Sequence, residues 1–355
     1  MIFVFGVTSG QVTGQSQTTL KVLNTLKRHF EKKVQFIEQP SRVSVSAFLL
    51  YYLKTLYYLM IYSEKKIYIS ISRSVKSFYA RDLIVLVISL LKGDKCVIHL
   101  VGNDFEKLLD KSKLAKIIYR TLLSKQRNSA IILSKRMKSE VSNLLDLEAK
   151  NAQLVILPGF LDLEIHSEDL HYLKRSSNQK HTTIGYMSNL IPEKGIFDFI
   201  DAIEMLLSKK SDNRYSVWVA GVKQSKVDYL KLEKLIEKGL IDYYEFVKGD
   251  QKIRLLEKTD IFILPTYYSV EVLPLALVEA AAYGAFVVSC ATGDIEEVTK
   301  LANGQIVPKK NPKAICNSIE KFVKSSEFDP CVTSKVICSH FSNNLYTNKL
   351  ISLFN

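Results

Sequence analysis

Two glutamates eight residues apart, Glu271 and Glu279, have the type and spacing to do chemistry, because a helix start falls between them. The stretch from Pro265 to Ala280 follows Asp260-Ile261-Phe262-Ile263-Leu264, an apolar run that predicts a buried parallel strand. Gly284, further on, suits the left-handed position just past a helix. Pro274 fits a first helical turn, so Glu271 is expected in the loop before the helix and Glu279 inside it. A helix start presents unpaired N–H groups and the positive end of a dipole, which is a seat for phosphate. The amides around Val272 and Leu273 are the candidates to form it. Carboxylates accept hydrogen bonds from hydroxyls, and hydroxyls flanking phosphate describe a sugar nucleotide.

Glu271-x7-Glu279, with the Ala-Ala-Ala-Tyr-Gly-Ala-Phe-Val-Val that follows it, resembles the signature of retaining glycosyltransferases of the GT-B fold (glycosyl transferases group 1, family 4). The resemblance implies that Glu279 holds the ribose hydroxyls of the donor and that Glu271 lies near the donor sugar and its anomeric carbon. In Gly185-Tyr186-Met187-Ser188-Asn189-Leu190-Ile191-Pro192-Glu193-Lys194-Gly195-Ile196, Lys194-Gly195 matches the lysine that grips the diphosphate in that family. Asn189 stands where the family has an arginine five residues earlier. A charge-assisted contact worth about 1.5–3 kcal/mol is therefore missing. Either a neutral hydrogen bond from Asn189 replaces it, or a cation such as Lys223 or Lys248 does. His99, in the strand end Cys96 to Phe105, is similar to a family histidine that faces the cleft near the donor sugar, and Asp104 is a candidate to orient an acceptor hydroxyl.

The loop Gly6 to Ser16, with Gly10 and Gly14, allows backbone to approach a ligand closely, and in the look-alikes it borders the donor diphosphate or the acceptor. It is neither G-x-G-x-x-G nor a P-loop, which argues against a dinucleotide and against ATP. No Asp-x-Asp occurs, so a metal-bridged diphosphate is not indicated. No cofactor is expected beyond the nucleotide-diphosphate sugar as donor substrate. Nor is there a separate carboxylate pair of the kind glycosidases use. The resemblance implies transfer with retained anomeric configuration, the leaving phosphate helping to deprotonate the acceptor. It covers most of the chain but is specific only in the second half, where Thr292-Gly293-Asp294-Ile295-Glu296-Glu297 also keeps the family order.

The elements that must position these residues alternate strand and helix throughout. Strands are predicted at Ile2–Val7, Val34–Ile37, Lys66–Ser70, Cys96–Val101, Ala130–Ser134 and Leu154–Leu157. After a polar linker from Pro158-Gly159 to Lys180 they resume at Thr182–Met187, Tyr215–Ala220, Tyr243–Val247, Asp260–Leu264, Phe286–Ser289 and Gln305–Val307. The fold class is α/β, two tandem Rossmann-like domains facing a cleft, with ligands outside the carboxyl ends of the strands. The expected division is 1–165 for the acceptor domain, 166–330 for the nucleotide-sugar domain, and 331–355 for helix returning to the first. With 355 residues, 47% of them hydrophobic, the chain can fill two cores. Five cysteines without a C-x-x-C pair point to neither a disulfide framework nor zinc. Met1 to Val7 has no basic n-region and reads as a first strand, so a cytoplasmic location is expected.

Charge is uneven. Residues 1–165 hold 25 Lys and Arg against 13 Asp and Glu, and residues 166–355 hold 24 against 23. Lys113, Lys116 and Arg120 fall on one helical face. Such a field draws in anionic partners, and a peripheral position on the inner face of an anionic membrane is expected. Residues 45–62 are apolar apart from Lys54 and rich in tyrosine. They are too short for a comfortable span, and read as a buried crossover helix or as one lying on a bilayer. The expected function is hexose-type transfer from a nucleotide sugar to a glycan or polyprenyl-pyrophosphate-linked acceptor, in bacterial O-antigen, capsule or lipopolysaccharide synthesis. A sugar-nucleotide epimerase and a basic nucleic-acid-binding module are the alternatives.

Overall fold

All twelve predicted strands form, and they divide into two six-stranded parallel sheets. The computed structural model describes the chain except for residues 9–13, 41–43, 103, 148–152, 160, 162–180, 209–213, 270 and 326. It separates into two compact units, Met1–Gly159 with Asn343–Asn355, and Phe160–Ser342. The first boundary falls a few residues before the expected one. The expected returning helix is in fact two helices: Pro330–His340 stays with the second unit, and only Asn343–Ser352 joins the first. The reason is packing, since Ile337 is buried in the second core and Thr333 Oγ1 donates to the Ala302 carbonyl at 3.2 Å. The predicted linker lies largely outside the described residues.

In the first unit, β1 (Ile2–Gly6), β2 (Val34–Glu38), β3 (Lys66–Ser70), β4 (Lys95–His99), β5 (Ser129–Ile132) and β6 (Gln153–Ile156) lie in the order β2-β1-β3-β4-β5-β6. Every pair is parallel, so helices must cover both faces, and the strands are continuous apolar runs such as Phe3-Val4-Phe5, all fully buried. Serines start several of the covering helices. Ser112 accepts from the Ala115 amide at 3.2 Å and Ser134 from the Met137 amide at 3.1 Å, which satisfies donors a helix start leaves open. The helix Lys113–Leu123 turns Ala115, Ile118, Tyr119 and Leu122 inward. Its cations Lys116 and Arg120 share an outer face, as expected, and both approach Asp146, at 3.7 and 3.6 Å. Of the glycine-rich loop, residues 9–13 lie outside the described residues, and Gly14 opens the helix Gly14–Phe30.

The second unit contains β7 (Thr182–Met187), β8 (Tyr215–Ala220), β9 (Asp242–Tyr244), β10 (Ile261–Leu264), β11 (Phe286–Cys290) and β12 (Gln305–Val307), in the order β12-β11-β10-β7-β8-β9. The chain winds outward from β7 in one direction and, after β9, outward from β10 in the other. That makes the β7/β10 boundary the topological switch point, where loops diverge and open a crevice at the carboxyl ends of the strands. Close packing brings the two sides together. Gly185 of β7 lies against the indole of Trp218 in β8, and a Cβ there would sit 2.4 Å from the ring. Trp218 is held in turn by Nε1 donating to Thr259 Oγ1 at 3.0 Å. Gly185→Val is expected to destabilise the fold by roughly 2 kcal/mol through overpacking, measured by chemical denaturation; an unchanged midpoint would show that the indole has room to move.

Candidate functional site

The loops after β7 and β10 are stitched across the switch point. From the first, the turn Pro192–Lys194 ends in Gly195, whose φ of +76° is left-handed. A Cβ at Gly195 would lie 2.4 Å from the Pro265 carbonyl oxygen, so glycine both permits the turn and lets the two loops touch. The Glu193 carbonyl accepts from the Tyr267 amide at 2.8 Å and from Thr266 Oγ1 at 3.3 Å. A third loop joins from β11, where Thr292 Oγ1 donates to the Thr266 carbonyl at 3.0 Å. Gly293, at φ +58°, leaves room for the Glu271 and Val272 carbonyls, at 2.4 and 2.7 Å from where its Cβ would be.

On this base Lys194 Nζ pairs with Glu271 Oε2, both side chains largely buried, and the ammonium also stands 5.1 Å from the centroid of the Tyr268 ring. The two expected catalytic residues of the second unit, 77 positions apart in the chain, are in direct contact. Glu271 lies in the loop before the helix and Glu279 within the helix Leu275–Ala282, as the sequence predicts. Pro274 is the N-cap of that helix, not part of its first turn, and no side chain caps the start. Among the described residues the amides of Val272 and Leu273 have no hydrogen-bond acceptor. Tyr283 and then Gly284 (φ +73°) end the helix. Glu279 is paired through Oε1 with Lys252 Nζ at 2.6 Å, from the helix Gly249–Lys258.

Sequence reasoning missed Lys252, for which no local pattern exists, and Tyr268, which was visible in the stretch but carries no charge to mark it. Asn189 is exposed at the end of β7, and its neighbour Leu190 forms an isolated parallel bridge with Lys223. The Lys223 ammonium lies over the Tyr243 and Tyr229 rings, at 5.0 and 5.8 Å, and pairs with Glu233 at 3.0 Å. Lys248 instead stands over the Phe246 ring. Of the two cations considered as replacements for the missing arginine, Lys223 is the one the backbone brings beside Asn189.

His99 departs from expectation. It is the last residue of β4 and is fully buried, not facing solvent. Its Nδ1 is hydrogen-bonded to the Tyr68 hydroxyl at 2.7 Å, and Nε2 has no partner among the described residues. Burial lowers its pKa to about 3, so the ring is neutral at physiological pH. The strand alternation that places Tyr68 and His99 on one covered face of the sheet is the physical reason. Asp104 is engaged as well, with Arg73. Nearby, Asp82 is fully buried and accepts from the Ser72 amide at 2.7 Å, Ser72 Oγ at 2.9 Å and Gln39 Nε2 at 3.2 Å. Burial lifts its pKa to about 6 against those bonds.

Residues 172–330 match the family model described as Glycosyl transferases group 1. The matched residues lie within the second unit. Among solved structures, the chain is similar to a glycosyltransferase from Rickettsia africae ESF-5 (15% identity, TM-score 0.70, covering 99% of this chain and 97% of that one). It is similar also to HepE of Anabaena in complex with UDP (16%, TM-score 0.69, 100% and 99%). A third is WaaG, a glycosyltransferase involved in lipopolysaccharide biosynthesis (11%, TM-score 0.65, 99% and 98%). These likenesses establish the fold, two parallel-sheet α/β domains of the GT-B type. Comparison with curated protein sequences gave no match.

The buried imidazole gives a pH test. A histidine that titrates near 6.5 when unfolded and about 3 when folded binds its proton only in the unfolded chain across that interval. Its contribution is therefore intact above pH 6.5 and lost progressively toward pH 3, with Asp82 acting in the opposite sense below pH 6. Relative to His99→Gln, the wild-type chain should lose up to about 1.4 kcal/mol more stability per pH unit on acidification, by denaturation at a series of pH values. Parallel profiles would mean that the ring protonates in place.

Proposed function

We propose that the chain is a retaining, metal-independent glycosyltransferase. It moves a hexose-type sugar from a nucleotide-diphosphate sugar to a hydroxyl of a glycan or polyprenyl-pyrophosphate-linked acceptor in bacterial surface polysaccharide synthesis, such as O-antigen, capsule or lipopolysaccharide. The carrying observation is the Lys194–Glu271 contact at the β7/β10 switch point of a unit that matches the model described as Glycosyl transferases group 1. That a similar structure holds UDP, and another protein of the same fold serves lipopolysaccharide synthesis, supports the donor class and the pathway. The excess of cations in residues 1–165 supports work at the inner face of a cell membrane.

The reaction breaks the bond between the anomeric carbon and the phosphate oxygen, so negative charge builds on the diphosphate and positive charge on the sugar ring. Fixed donors aimed at the developing negative charge are the largest available source of rate. Lys194 supplies an ammonium, and the amides of Val272 and Leu273, with the uncapped start of the helix Leu275–Ala282, supply dipoles. Glu271 accepts from hydroxyls of the sugar, and Glu279 from those of the ribose. Without donor, each carboxylate is paired with and positioned by its lysine. Donor entry exchanges carboxylate for phosphate at Lys194 and lysine for hydroxyl at Glu271, so each group trades one polar partner for another. Lys223 takes the place of the missing arginine beside Asn189. The proton of the acceptor hydroxyl passes to the leaving phosphate, and attack occurs on the face the phosphate leaves, which retains configuration.

Lys194→Ala should lower kcat roughly a hundredfold with modest change in donor KM. Glu279→Ala should raise donor KM about tenfold with kcat largely kept. Steady-state kinetics giving wild-type values for both would dismiss the site. Transfer should also persist in excess EDTA, and a loss restored by a divalent cation would overturn the metal-free mechanism.

A further inference from the structure

The helix Val45–Ile61 has one side built into the first unit and the other left bare. Inward, Tyr51, Thr55 and Leu59 are buried, and the Tyr51 and Tyr52 hydroxyls donate to the Arg81 and Ala80 carbonyls at 2.6 and 2.7 Å. Outward, Leu49, Leu50, Leu53, Leu56, Met60 and Ile61 are each between 42% and 60% exposed. At 100° per residue these side chains occupy a half-cylinder on which Lys54 is the one charge, and it sits at the edge. Lys92, next to the 82% exposed Leu91, reaches the Met60 carbonyl at 2.9 Å. An apolar face of this length on a soluble surface marks a place that something covers.

Lys92 also lines a cavity of about 660 Å³ at the same end of the helix, with Lys33, Lys65, Lys66, Lys95, Glu64 and Asp94. Lys65 and Asp94 neutralise each other at 3.1 Å, and Lys66 donates to the Phe354 and Asn355 carbonyls. Among the described residues Lys33 and Lys95 have no ion-pair partner. Burial, then the neighbouring Lys66, pushes the Lys95 pKa down, as expected of a cation short of an anion.

We propose that this face docks on a bilayer of anionic lipids, the helix lying in the interface with its outward side among the acyl chains and the lysine-lined cavity taking a lipid phosphate. The arrangement of an apolar stripe beside cations is the one that suits an interfacial helix. No helix among the described residues is long and apolar enough to cross a membrane, and the tyrosine bonds hold this one to the helical segment Phe78–Asp82 of the first unit. Charge selects the bilayer over a second copy of the chain. Pairing two such faces would bring together two copies of residues 1–165, each with 25 Lys and Arg against 13 Asp and Glu, whereas an anionic surface is attracted by each. The inference deepens the membrane-side reading of the proposed function. It is testable without donor or acceptor, so it and the transfer reaction can fail separately.

The test is flotation of the full chain with vesicles of phosphatidylglycerol and phosphatidylcholine, or of phosphatidylcholine alone. The wild type should float with the anionic vesicles. Leu53→Glu with Met60→Glu, and separately Lys33→Glu with Lys95→Glu, should each lower partitioning at least about tenfold, with unchanged circular dichroism and unchanged nucleotide-sugar binding. Equal flotation of wild type and both variants, or no flotation of the wild type, would overturn the proposal. So would a wild-type dimer in sedimentation velocity that Leu53→Glu dissolves, since the face would then belong to a second copy.

Discussion

The tie between the β7 and β10 loops is the constraint on which the candidate site rests. Parallel winding in opposite directions from two adjacent strands leaves their exits divergent, and a gap there would strand Lys194 and Glu271 as isolated charges. Three features close it: the glycine at 195 that lets backbone touch backbone, the Glu193 carbonyl that takes two donors from the opposite loop, and the Lys194–Glu271 pair itself. Backbone contacts set the loops in place, and the ion pair then points both functional groups at one spot. A pair that shields its own charges is favourable, because neither group has to be buried alone.

The two units use charge differently. In the second, cations and acids are nearly equal in number and the acids of the site are matched one to one with lysines, Glu271 with Lys194 and Glu279 with Lys252. In the first, cations outnumber acids and part of the excess lies around one end of an exposed apolar helix. Local pairing organises a small-molecule site, where a misplaced charge is costly. A broad imbalance is suited to a surface, where many weak attractions act together and salt weakens them.

Much of this was legible in the sequence. Period-two and continuous apolar runs gave every strand to within two or three residues, because a parallel sheet buries both faces and tolerates little else. The loop position of Glu271 and the helical position of Glu279 followed from Pro274 and Gly284, residues whose backbone preferences are local; even so, proline proved to be the cap and not the first turn. The burial of His99 was not legible, because a strand end looks the same in sequence whether it opens to a crevice or faces Tyr68. The terminal segment was misread for a similar reason: two short helices with a break at Ser342 are contiguous in sequence but belong to different cores.

What the sequence determined by itself was local and compositional: which runs are strands, where one helix starts and stops, which half carries the charge. Tertiary structure decided the pairings, since Lys194 and Glu271, Lys252 and Glu279, and Leu190 and Lys223 are joined only by the order in which strands assemble. It also decided which side of the helix Val45–Ile61 is core and which is bare. An all-apolar helix has no stripe to read, and only the sheet it packs on chooses a face.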